Sequence, residues 1–129
     1  MEKEDKELLL KDLCARLPYS VKVLYEGQIK EIQYIEPLYN ELKLLDDSSN
    51  YTIGIKDIKP YLRTMSSMTE EEKVEYCDLQ DKFLLSSQYP VTCGYDLFDW
   101  LDKNMFDYRG LIPQNLAIEI TEENNPYKN

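Results

Sequence analysis

IKDIKPYLRTMSSMTEEE, from Ile55 to Glu72, is the stretch at which the chain changes its hydrophobic period. Before it lie short β-branched and aromatic runs broken by turn residues; after it, apolar residues recur at helical spacing. A switch from a period of two to one near 3.6 marks where a sheet ends and a helix begins. Pro60 lacks an N–H and biases Lys59 toward extended backbone, which suits KPYLR to an edge strand. Thr69, followed three residues later by Glu72, has the form of a capping box at a helix start.

Working back from this point, the apolar residues Leu10, Leu13, Cys14 and Leu17 predict an amphipathic helix over Asp5 to Leu17, ended by Pro18. Val21–Tyr25 and Gln28–Ile35 alternate about Glu26-Gly27, the pattern of a hairpin. A third strand is expected from Tyr39 to Leu45 and a fourth from Tyr51 to Ile55, separated by a polar loop at 46–50. A short turn at 56–58 then leads to a fifth strand from Pro60 to Arg63. Five short strands with a turn between the last two have the layout of SH3-like small barrels. The expected fold is therefore α+β: an N-terminal helix, a five-stranded SH3-like barrel over residues 18–64, and an acidic helical extension over 65–129, all one unit.

That extension reads as two helices, Glu70–Leu85 and Tyr95–Asn104, a turn at Phe106–Gly110, and a short late strand at Leu116–Ile120. The polar tail from Thr121 to Asn129 is expected to fray. In the second helix Tyr76, Leu79, Phe83 and Leu84 are expected to form the buried face, and in the third Leu97, Phe98, Leu101 and Met105. The loop between them contains Pro90.

Charge narrows the function. The chain of 129 residues carries 25 acidic and 15 basic side chains, a net of −10. Residues 66–129 hold 13 of the acids and 5 of the bases, so most of the excess lies in the second half. A polyanionic chain is a poor direct binder of nucleic acid or anionic lipid. With no apolar run long enough for a membrane span and a mixed-sign start unlike a secretory leader, the expectation is a cytoplasmic protein. Cys14, Cys77 and Cys93 show no metal-ligand spacing and are expected to be reduced and structural.

Chemistry-bearing patterns are few. Histidine is absent, which removes the commonest base and metal ligand, and no phosphate-cradling glycine motif occurs. No cofactor is implied. Asp96, Asp99, Asp102 and Asp107 could gather a hard cation, but they fit better as the solvated face of an amphipathic helix. Asp46-Asp47-Ser48 lacks the ligand spacing of a calcium loop. Lysines 22, 30, 43, 56 and 59 and Arg63 with Tyr25, Tyr34, Tyr51 and Tyr61 would resemble a strand-binding surface, were acids not interleaved among them. Met65 and Met68 bracket two serines and suit either an adaptable contact surface or the joint between barrel and helix.

LKDLCARLPYSVKV (Leu10–Val23), IKPYLRTMSSMTEEE (Ile58–Glu72) and FDYRGLI with LAIE (Phe106–Glu119) resemble a family of short uncharacterised proteins of prophages and mobile elements from Bacteroides-group gut bacteria. Relatives often carry proline where this chain has Thr64. The resemblance implies a phage-borne accessory role and carries over no site residues. The leading expectation is a non-catalytic module binding a protein partner through the tyrosine-rich barrel surface or through Lys59, Tyr61, Arg63, Met65 and Met68. A nucleic-acid-mimicking inhibitor, built on Glu70, Glu71, Glu75, Asp78, Asp96, Asp99 and Asp102, is the alternative. A carboxylate–metal enzyme is the third. The partner and the oligomeric state stay open.

Overall fold

Lys3–Arg16 form the first helix, α1, and a computed structural model describes residues 1–45, 51–84 and 92–128. The chain then turns through a 3-10 segment, Leu17–Tyr19, with Pro18 in its first positions and Ser20 left-handed behind it. Strands β1 (Lys22–Tyr25) and β2 (Gln28–Glu36) make the expected hairpin, paired Tyr25 with Gln28 across Glu26-Gly27. Both turn residues have positive φ, 49° and 77°, the primed turn whose twist matches that of the strands. Glu26 bears the cost of that conformation, since only glycine adopts it freely.

Strands β3 (Glu41–Leu44), β4 (Ile53–Gly54) and β5 (Lys59–Leu62) follow, then helices α2 (Glu70–Leu84) and α3 (Thr92–Lys103) and strand β6 (Ile118–Glu119). The strand order is β4-β3-β2-β1-β5-β6, with β6 parallel to β5 and the other pairs antiparallel. This corrects the expected barrel. The sheet is open and six-stranded, because the free side of β5 is taken by β6 and so does not close the sheet. It also corrects the edge assignment: β5 is internal, and its ladder with β6 involves Tyr61 and Leu62, beyond Pro60. The predicted loop at 46–50 lies outside the described residues, as does the one containing Pro90.

In place of closure, the sheet is filled by α1 and by the segment after α3. Leu9 and Leu13 of α1 join Val21, Val23, Ile32, Leu42, Leu44, Ile55, Ile58 and Leu62 in one cluster, with Met105, Leu111, Leu116 and Ala117 from the second half of the chain. The buried face of α1 is Leu9, Asp12, Leu13 and Arg16. It is turned from the predicted stripe, and Cys14 is exposed and free, as is Cys77 on α2. Neither thiol is the buried hydrophobe expected. The turn arises because α1 buries an acid and a base, which apolar periodicity does not count.

A second cluster, Met68, Leu97, Leu101 and Phe106, lies under α2. Here α2 departs from expectation, for it has no buried residue. Tyr76 and Leu79 are half-buried against the cluster, while Phe83 and Leu84 are exposed. Phe98, expected in the buried face of α3, is exposed as well. Thr69 and Glu72 form the predicted capping box: Glu72 Oε1 accepts the Thr69 N–H at 2.9 Å, and Thr69 Oγ1 accepts the Glu72 N–H at 3.2 Å.

The tail is not frayed. Thr121 and Asn124 bond each other, and Tyr127 packs against the main cluster. Its hydroxyl accepts the Lys22 N–H at 2.9 Å and donates to the Tyr61 carbonyl at 3.1 Å, so the tail straps the seam between β1 and β5. Burial pushes the Tyr127 phenol up to about 12. Tyr127→Ala is expected to cost about 2–4 kcal/mol in urea denaturation, and Tyr127→Phe about 1 kcal/mol. Wild-type stability in Tyr127→Ala would show that the strap holds nothing.

Candidate functional site

The most concentrated polar chemistry lies where α1 meets the segment after α3. Asp12 and Arg16 stand one turn apart on α1 and are fully buried. Arg16 donates to both Asp12 oxygens at 2.9 Å and to the Phe106 carbonyl at 2.6 Å. Arg109 donates to Asp12 Oδ1 at 2.8 Å and lies 3.6 Å from Asp102. Tyr108 donates its hydroxyl to Asp102 at 2.8 Å, and the Arg109 guanidinium stacks over the Tyr108 ring. Asp107 accepts the N–H groups of Leu111 and Ile112, capping the turn that follows.

This arrangement is a closed circuit. Its carboxylates are occupied by guanidiniums, a phenol and backbone amides. Arg16 Nη1 is the one fully buried side-chain N or O among the described residues with no partner. Burial raises the Asp102 pKa, outweighing the Tyr108 hydrogen bond and the two arginine charges. The same burial, with Asp102 beside it, raises that of Tyr108.

Asp102 is thus no part of a solvated acidic face, and Asp107 is likewise buried. Among the described residues no group of three potential metal ligands comes together. Asp96 and Asp99 are exposed on α3. Sequence reasoning missed Asp12, Arg16, Tyr108 and Arg109 because nothing in their spacing separates them from surface charge. The one available signal was Asp12 and Arg16 at i, i+4 beside Leu9 and Leu13.

The five residues named as a partner-binding set separate in the structure. Lys59 reaches Asn115 Oδ1 at 3.0 Å. Tyr61 and Met68 are only 6% and 8% exposed, and Met65 is half-buried in the second cluster. Arg63 is the centre of a clasp. Its Nη1 and Nη2 donate to Glu72 at 2.8 and 2.7 Å, its Nε and Nη2 hold Ser67, and its guanidinium lies 4.2 Å from the Phe106 ring centre. Phe106 stacks on Trp100, Trp100 on Tyr76, and the Trp100 N–H donates to Glu75. Met65, Met68 and Arg63 therefore join sheet to helices.

No protein-family model, curated protein or solved structure matches the chain. The surface itself has to indicate where a partner would bind. Large apolar side chains stand exposed on the β2–β3 side of the sheet. The 3-10 turn Pro37–Tyr39 presents Leu38 at 87% and Tyr39 at 69% exposure. Pro37 fixes the entry to this turn and the left-handed Asn40 its exit. A shallow hollow is lined by Ile35, Glu36, Pro37, Leu38 and Tyr39. Tyr34 on β2 and Tyr51 before β4 are exposed too.

Three expectations test the buried circuit and the clasp. Asp12→Ala leaves two arginines without their shared carboxylate, and is expected to cost about 3–5 kcal/mol in denaturant unfolding. For Asp102, a folded pKa above the unfolded one means a contribution present at low pH and lost as pH rises through the folded value. Asp102→Asn should therefore gain on the wild type as pH climbs from about 4 to about 7. The opposite slope would show that the arginine pairing outweighs desolvation. Arg63 hydrogen bonding holds Glu72 down at about 2, so its contribution is present above the ordinary carboxylate range and fails only in strong acid. Glu72→Gln is expected to cost about 1–2 kcal/mol at neutral pH and to shift Trp100 emission as α2 loosens.

Proposed function

We propose that this protein is a non-catalytic interaction module, working in the cytoplasm as an accessory protein of a phage or mobile element, and that it binds a protein partner through the tyrosine-rich side of its sheet. The observation that carries this reading is the Pro37–Tyr39 turn. A leucine and a tyrosine held almost fully in water on a conformationally fixed turn lose little entropy when a partner covers them. Of the two surfaces the sequence suggests, this one offers its apolar groups to solvent, whereas the Lys59–Met68 connection turns Tyr61 and Met68 inward.

The nucleic-acid mimic draws less support. Of its seven carboxylates Asp102 is buried, Glu70 pairs with Lys73, and Glu75 accepts the Trp100 N–H. Four of the seven remain to imitate a phosphate row.

The test is affinity capture from native host cells with immobilised wild type and the double variant Leu38→Asp/Tyr39→Ser, whose Tm should match the wild type because both side chains are exposed. A protein retained by the wild type through a high-salt wash and lost by the variant is the expected outcome. Truncating a central anchor of this kind costs about 2 kcal/mol or more, a loss of some thirtyfold in affinity. Equal retention by both proteins would reject the Leu38–Tyr39 surface.

A further inference from the structure

The ends of β5 and α3 and the C-terminal strap enclose two adjoining hollows of about 240 and 540 Å³. Arg63, Ile120 and Asn125 line both, so the two form one trough. Lys103 and Asn104 stand at one end, and Glu122 and Lys128 at the other. The Arg63 charge is answered by Glu72. Among the described residues Lys103 and Lys128 have no ion pair, and Glu122 is the one acid lining the trough.

Setting aside the Arg63–Glu72 pair, the trough carries a surplus of positive charge on a chain whose net is −10. Two amides add hydrogen-bonding capacity of a particular kind. Asn104 Nδ2 donates to the Trp100 carbonyl, which leaves its Oδ1 without a bond among the described residues. Asn125 Oδ1 accepts the Tyr127 N–H, which leaves its Nδ2 without a bond among the described residues. One spare acceptor and one spare donor complement the N–H and C=O of a peptide group.

We propose that this trough binds an extended acidic peptide segment, whose carboxylates pair with Lys103 and Lys128 and whose backbone bridges Asn104 and Asn125. The combined space is that of a typical ligand cleft. A long polyphosphate would meet the repulsion of the whole acidic chain, whereas a peptide bearing two or three carboxylates meets far less. This site is separate in its residues from the Leu38–Tyr39 surface and stands or falls without it.

Fluorescence anisotropy with a short fluorescein-labelled peptide of alternating glutamate and alanine tests the assignment, with the glutamine–alanine peptide and a short oligothymidine as comparisons. The acidic peptide should bind saturably and more weakly as salt is raised. Affinity should drop about tenfold for the glutamine peptide, and by a similar factor for the double variant Lys103→Gln/Lys128→Gln. Both lysines are exposed, so the variant should keep the wild-type Tm. Absence of saturable binding up to about 1 mM, equal binding by the double variant, or tighter binding of oligothymidine would each overturn the proposal.

Discussion

One buried carboxylate, Asp12, holds two guanidiniums that come from distant parts of the chain, and the rest of the structure is arranged to keep it so. Arg16 comes from its own helix and Arg109 from beyond α3. Desolvating such a group costs several kcal/mol, which is recovered only when both arginines and their further partners are in place. The cluster therefore acts less as a source of net stability than as a condition on geometry. It admits one seating of α1 on the sheet, with Leu9 and Leu13 inward and Cys14 outward, and it ties that seating to the path of the chain through Phe106.

Phe106 is the joint between the two halves. Its carbonyl accepts Arg16, its N–H donates to the Leu101 carbonyl, and its ring lies between the Arg63 guanidinium and Trp100. Arg63 then passes the connection to α2 through Glu72, whose other task is to cap that same helix. A helix with no fully buried residue is thus fixed by one bidentate ion pair, one indole hydrogen bond and an aromatic stack. Both candidate binding regions follow from this economy. The Lys59–Met68 connection is consumed in holding the molecule together, whereas the Pro37–Tyr39 turn and the trough beside the strap keep groups turned to solvent.

Features governed by neighbours in sequence were the legible ones. The Glu26-Gly27 hairpin and the Thr69–Glu72 capping box each depend on residues a few positions apart, and both are present. Features set by distant partners were hidden. Nothing local announces that β6 will add in parallel to β5 and leave the sheet open, or that Asp12 and Asp102 will be drawn together about Arg109 from beyond α3. The tail misled for a related reason. Tyr127 sits among polar residues, and its anchoring depends on backbone groups of Lys22 and Tyr61 far upstream. The candidate site was the least legible part: Tyr39 read as the first residue of a strand and Leu38 drew no reading, and their exposure is decided by the turn that Pro37 and Asn40 impose.

The strap has a consequence for how the protein is made. Tyr127 closes onto Lys22 across 105 positions, and Arg16 reaches Phe106 across 90. At synthesis rates of about 5–20 residues per second, the hairpin waits some 5–20 s on the ribosome before its last support emerges. The β1 edge can pair with β5 well before then, but the Asp12–Arg16 pair of α1 still lacks the Phe106 carbonyl and Arg109. This unit therefore acquires its full packing late, once the segment from Phe106 to Tyr127 has been made.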